Sequence, residues 1–240
     1  MLRRIGLIGG MSWESTATYY RFINQMVRAR HGGLASADLL LHSLNFREVV
    51  DMQVAGRWDL AAEHLAESGR ALVRGGAECV LICTNTMHLV ADEVEKAAGV
   101  PLIHIIDATG NAIAAAGFKR PLLLATRYTM EHGFYRDHMM ARCGIEPITP
   151  EKADRDMVHD IIFSELCCGV VKPDSRQRYL DIIEKGRAAG ADCVILGCTE
   201  IGLLIEQRDV SLPVFDSTWL HAEAAVNFAE QAVGKPIAAE

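Results

Sequence analysis

The amino-acid sequence predicts an α/β fold of two similar lobes, each a four-stranded mostly parallel sheet flanked by helices, related by pseudo-twofold symmetry with a site between them. Two observations carry that expectation. Short β-branched or leucine-rich runs alternate with longer helix-period segments, the pattern of parallel sheets covered on both faces. The chain also repeats itself: Gly-Ala-Glu-Cys-Val-Leu-Ile-Cys-Thr at 76–84 recurs, one glycine longer, as Gly-Ala-Asp-Cys-Val-Ile-Leu-Gly-Cys-Thr at 190–199, an offset of about 115 residues. The flanks repeat as well, Arg3–Gly9 with Arg120–Thr126, and Pro101 to Thr109 with Pro213 to Thr218.

In the first half the predicted strands are Arg4–Gly9, Asp38–Leu44, Cys79–Cys83 and Pro101–Ile105. In the second they are Pro121–Thr126, Ile145–Thr149, Cys193–Gly197 and Leu212–Phe215. Helices are expected at Glu14–Arg30, Leu60–Arg74, Thr86–Ala97, Met130–Ala141, Ser175–Ala189 and Trp219–Ala232, where apolar residues recur at helical spacing. No linker rich in Gly, Ser or Pro separates the halves, which argues for lobes packed face to face.

With 240 residues, 50% hydrophobic and 23% charged, the chain can bury a core and is not a disordered polymer. A net charge of −7 excludes an overall positive field for nucleic acid or an anionic membrane. The apolar run after Arg3 and Arg4 is too short for a signal peptide, and no stretch approaches a membrane span, so a cytoplasmic protein is expected. Seven cysteines without a CxxC pair point to reduced thiols, and the spacing of the cysteines and histidines argues against a metal site.

Ligands of open α/β sheets bind beyond the carboxyl ends of the strands, and each half places a cysteine there. Cys83 is followed by Thr84, Asn85 and Thr86, and Cys198 by Thr199 and Glu200. A strand-to-helix junction favours thiolate through the helix dipole and its free N–H groups. Cys79 and Cys193, at strand starts, read as small buried hydrophobes, and Cys143, Cys167 and Cys168, which have no repeat partner, as structural. Gly6, Gly9 and Gly10 lack the dinucleotide spacing, but their loop can form an anion nest with Ser12 as the cap of the next helix. Arg47, just after the second strand, could pair a substrate carboxylate, with Gln53 offering a neutral hydrogen bond nearby. His88 and His221 recur after a site loop in each half and would support the site from behind. No lysine ends a predicted strand, which argues against pyridoxal chemistry.

Residues 9–16 (Gly-Gly-Met-Ser-Trp-Glu-Ser-Thr), 83–88 (Cys-Thr-Asn-Thr-Met-His), 126–130 (Thr-Arg-Tyr-Thr-Met), 197–201 (Gly-Cys-Thr-Glu-Ile) and 215–218 (Phe-Asp-Ser-Thr) resemble the aspartate/glutamate racemase superfamily, in its aspartate and broad-specificity amino-acid branch. The resemblance spans essentially the whole chain. It implies a cofactor-independent racemase, usually a homodimer, with one lobe formed by 1–106 plus 217–240 and the other by 107–216. It also implies catalytic thiols at Cys83 and Cys198, and substrate contacts at Met11, Gln53, Thr84, Asn85, Thr86, Thr126, Thr129 and Thr199. Peptidoglycan glutamate racemases typically carry Asp-Ser in the first loop and a His two residues after the second cysteine. Met11-Ser12 and Glu200 stand there instead, which points away from that branch.

Racemisation removes the α-proton on one face of the substrate and returns one on the other, a task for two acid/base groups facing each other. Aspartate, glutamate or a neutral polar amino acid would fit as a small substrate. The alternatives are cis–trans isomerisation of a small dicarboxylate, and a non-enzymatic ligand-binding or redox-sensing protein whose cleft thiols pair.

Overall fold

The computed structural model describes residues 2–231, so Met1 and the end of the expected 217–240 segment, including Ala232 of the last predicted helix, lie outside the described residues. The first half runs β1 (Ile5–Gly9), α1 (Trp13–His31), β2 (Leu39–Ser43), α2 (Phe46–Val54), α3 (Trp58–Arg74), β3 (Cys79–Ile82), α4 (Ala91–Ala98) and α5 (Ile105–Ala115). The second runs β4 (Pro121–Leu124), α6 (Arg127–Glu131), α7 (Phe134–Cys143), α8 (Lys152–Ser164), α9 (Pro173–Ala188), β5 (Cys193–Leu196), β6 (Val214–Asp216) and α10 (Ser217–Glu230).

The strands form two parallel sheets in the orders β2-β1-β3 and β4-β5-β6. Among the described residues each has three strands and not the expected four. The missing fourth positions survive as single bridges, Leu102 beside Val80 and Ile148 beside Leu122. The first of these segments is short because His104 caps α5 just past Ile103 and takes the chain out of the sheet, and the second because Pro150 has no N–H to continue the ladder beyond Ile148. With these bridges counted, both sheets have the same layout, the strand that enters each half lying beside the one that carries its repeated cysteine motif.

The repeat is a backbone device. Gly76 and Gly190 adopt φ of 95° and 93°, a region open to glycine, and turn the chain from α3 and α9 into β3 and β5. The next acid then clamps the neighbouring strand in both halves. Glu78 accepts from the Arg4 amide at 3.1 Å and Asp192 from the Arg120 amide at 3.0 Å. The return bonds, Glu78 N–H to Arg4 C=O and Asp192 N–H to Arg120 C=O, are 2.9 and 3.1 Å. Register is thereby fixed at the strand starts, and both cysteine loops emerge at the opposite, carboxyl end.

The first sheet is covered on both faces. Val80 and Ile82 pack with Leu65 and Val94 on one side, while Cys79, Leu81 and Cys83 pack with Tyr19 and Ile23 on the other. Into that second layer α10 inserts Ala222, Ala225, Val226 and Ala229, so the helix that follows the last strand of the second sheet packs on the first. Its small side chains permit the close approach. Asp216 caps it by accepting from the amides of Thr218 and Trp219.

Gly10 ends the β1 loop at φ 87°, with the Leu44 backbone filling the space a Cβ would need. Gly10→Ala is expected to destabilise the fold by more than about 2 kcal/mol in denaturant unfolding, whereas a loss within experimental error would show that this turn relaxes freely.

Candidate active site

At the carboxyl ends of the strands a cavity of about 450 Å³, counted to its open mouth, is lined from both halves. Met11, Phe46, Gln53, Thr84, Asn85 and Thr86 come from the first half, and Thr126, Ile162, Phe163, Cys167, Gly197, Cys198, Thr199 and Glu200 from the second. Phe46 of α2 and Phe163 of α8 stack with ring centroids 6.4 Å apart and close one wall.

Hydroxyl and carboxylate groups stitch the two halves together around it. Glu200 is buried, and its carboxylate accepts from the Cys198 thiol at 3.0 Å and from the Ser12 hydroxyl at 2.5 Å. Ser12 also caps α1 by accepting from the Ser15 amide. The Ser15 hydroxyl in turn donates to the carbonyl of Cys83 at 3.2 Å and hydrogen-bonds the Thr199 hydroxyl at 2.6 Å. Thr86 meets Thr126 and Thr129 at 2.9 and 3.0 Å. Both cysteine loops are thus held by the same few side chains, with a single serine hydroxyl between Cys83 and Thr199.

The predicted site residues separate into groups. Met11, Gln53, Thr84, Asn85, Thr86, Thr126, Thr199, Glu200 and Cys198 line the cavity. Ser12 and Thr129 stand just behind, bonded to Glu200 and to Thr86. Arg47 does not join them: its side chain is 82% exposed and pairs with Asp51 one turn on. The phase of α2 is the reason. Asn45 caps the helix so that Phe46, Val49 and Gln53 share the inward face, and Arg47 and Asp51 point outward. Cys83 is fully buried on the α1 side of its sheet and is not among the lining residues, although the next three residues are.

The thiols also differ electrostatically from the sequence expectation. Short 3-10 turns at Thr86–Val90 and Thr199–Leu203, and not long helices, follow the two cysteines, so little helix dipole acts on them. Burial pushes the Cys83 thiol well above its ordinary range. Burial and then the Glu200 carboxylate do the same for Cys198. Both sulfurs therefore carry their protons at neutral pH.

Sequence reasoning missed Phe46, Ile162, Phe163 and Cys167 as cavity residues. Cys167 sits in a 3-10 turn at Leu166–Cys168, and burial followed by the nearby Glu200 raises its thiol. Only the second half carries it, so the repeat offered no signal.

Behind the Cys83 loop lies a histidine cluster. His88 accepts from the Ile105 amide at Nε2, so its Nδ1 donates to the Thr84 carbonyl at 2.8 Å. His221 donates from Nε2 to the Ile103 carbonyl and accepts from the Tyr19 hydroxyl at Nδ1. Burial lowers the His88 pKa well below normal and brings His221 down to about 3, so both are neutral braces. Farther out, His104, Asp107 and His138 hold potential ligand atoms within 4.8 Å of one another. The rings of His104 and His138 stack with their planes 7° apart, and Asp107 pairs with His138 at 2.8 Å. Among the described residues no helix is long and apolar enough to cross a membrane.

Two α/β units that share a cavity with a cysteine at its wall define the two-lobed racemase class of fold. The chain belongs to the Asp/Glu/hydantoin racemase family, whose model matches residues 8–225, and is thereby an isomerase of the racemase type. Among similar solved structures, a candidate Asp/Glu racemase from Yersinia pestis is 50% identical, covering 96% of this chain and 100% of that one, with a TM-score of 0.89. An aspartate racemase homologue from Pyrococcus horikoshii OT3 is 35% identical over 95% and 99% of the two chains, with a TM-score of 0.83. The broad specificity amino-acid racemase RacX of Bacillus subtilis (strain 168) is 20% identical, the match covering 93% of this chain and 96% of that protein.

The carboxylate beside Cys198 disfavours thiolate, so Glu200→Gln removes that repulsion and is expected to lower the Cys198 pKa. Alkylation of Cys198 by iodoacetamide, followed by peptide mass spectrometry across a pH series, should then reach half-maximal rate at lower pH than in the wild type. A midpoint that stays or rises would show that the carboxylate does not bias the sulfur.

Proposed function

We propose that the protein is a cofactor-independent racemase of small polar amino acids, aspartate and glutamate included, with Cys83 and Cys198 as acid and base on opposite faces of the substrate Cα. The observation that carries this reading is the Cys198 thiol at the cavity wall, hydrogen-bonded to a buried carboxylate and tied through Thr199 and Ser15 to the Cys83 loop. The assignment of 1–106 plus 217–240 and of 107–216 to the two lobes, a homodimeric assembly and a cytoplasmic location belong to the same reading. The free state of all seven cysteines supports the last.

In one direction the Cys83 thiolate takes the α-proton as Cys198 delivers its own from the other face. In the other direction Cys198 must be the thiolate. Glu200 opposes that state, since its carboxylate stands 3.0 Å from the sulfur. The entering α-ammonium favours either thiolate by Coulomb attraction in a dry site. For Cys83 the step requires its loop to turn the buried sulfur toward the substrate as the lobes adjust. Hydroxyls of Thr84, Thr86 and Thr199 are the donors for the carboxylate as it gains enolate charge, and each such donor supplies about 3–4 kcal/mol.

Among the described residues no arginine or lysine lines the cavity. A pyridoxal Schiff base has no anchor there, and a substrate side-chain carboxylate would meet hydroxyls and amides and no cation. That lining suits a range of small polar side chains, in keeping with the broad specificity named for the Bacillus subtilis relative.

Chiral chromatography of amino acids incubated with the wild type should show interconversion. Cys83→Ala and Cys198→Ala should each lose about 10²–10⁴-fold or more in racemisation rate. Full turnover by either variant would exclude the two-thiol scheme.

A further inference from the structure

The sequence motif at 215–218 has no part in the chemistry above, yet it places a fully buried hydroxyl between the two cysteine loops. Ser217 is the first residue of α10 and has no exposed surface. Its hydroxyl donates to the Leu196 carbonyl at 2.7 Å and receives the side-chain amide of Asn85 at 3.1 Å. Asn85 lies two residues after Cys83, and Leu196 two residues before Cys198.

A serine hydroxyl has one hydrogen. The Leu196 carbonyl can only accept, so it takes that hydrogen, and toward Asn85 the Ser217 oxygen can only accept. Asn85 must then present its NH₂ to Ser217. Its Oδ1 is left facing away, buried, at a residue that lines the cavity, with no partner among the described residues. An unpaired buried carbonyl oxygen is unfavourable because it has lost its hydration without a replacement donor, and a cation offering N–H groups would meet it best.

Building on the racemase reading, we propose that Ser217 is a positioning residue that locks the Asn85 amide with its oxygen toward the substrate α-ammonium. It thereby sets the preference of the site for α-amino acids over carboxylates that lack the amino group. Polarity decides the argument: had Ser217 donated to Asn85, the amide would turn its NH₂ inward and repel an ammonium. The same hydroxyl couples the loop of Cys83 to the strand that ends at Cys198, so the acceptor keeps its place relative to both sulfurs.

The experiment compares L-aspartate with succinate, its analogue without the amino group, by KM and by competitive inhibition constant. In Ser217→Ala the amide loses its fixed orientation. The aspartate KM should rise about tenfold, the worth of one hydrogen bond, while the succinate constant moves less than about twofold and kcat falls less than KM rises. Ser217→Thr, which keeps the hydroxyl, should recover most of the loss. In an Asn85→Ala background, Ser217→Ala should add nothing further to KM, because the effect runs through that amide. Equal factors for aspartate and succinate, or additive losses in the double variant, would overturn the assignment and mark Ser217 as a packing residue alone. A wild type that racemises no amino acid would defeat the underlying reading, whereas an active wild type with an unaffected Ser217→Ala would defeat only this one.

Discussion

Glu200 holds two hydrogens, one from the Ser12 hydroxyl at the entry to α1 and one from the Cys198 thiol at the end of β5. A carboxylate buried this deeply survives only if hydrogen bonds replace its lost hydration. The two donors come from opposite halves of the chain, so the requirement draws the lobes together at the point where chemistry is proposed. Ser15, Thr86, Thr126, Thr129 and Ser217 extend the same principle: buried polar groups across the seam satisfy one another and hold the strand ends at fixed spacing.

The duplicated architecture is nearly symmetric in its backbone and asymmetric in its chemistry. Glycine turns and acid clamps at Gly76 with Glu78 and at Gly190 with Asp192 start the two cysteine strands in the same way. At the other end the environments part. Cys198 has a carboxylate partner and lines the cavity, while Cys83 is surrounded by apolar side chains, with desolvation alone raising its thiol. A symmetric scaffold thus delivers two groups that reach the same protonation state by different routes.

The alternation of runs and the repeated motif made the lobes and the cysteine positions legible, because strand burial and glycine turns are written locally. The sheets came out one strand narrower because α5 begins just past Leu102 and Pro150 interrupts the ladder beyond Ile148, which β-branched content alone does not show. Arg47 illustrates another limit. Its place after a strand was readable, but its direction depends on where Asn45 starts α2, and only the spacing of Phe46, Val49 and Gln53 would have shown that the arginine points outward. The partnership of Glu200 with Ser12 spans 188 residues of sequence, and Cys167 enters the cavity from a turn without a counterpart. Long-range pairing of this kind leaves no local pattern.

The central claim is that two separate groups serve the two faces of Cα, and isotope transfer tests it without altering the protein. A single enantiomer of aspartate in deuterated buffer should yield product carrying one deuterium at Cα, while substrate recovered early in the reaction stays protiated, because the base that removes the proton is not the acid that supplies the new one. Early deuterium in the recovered substrate at the level found in the product would mean that one group handles both faces, and would contradict the account.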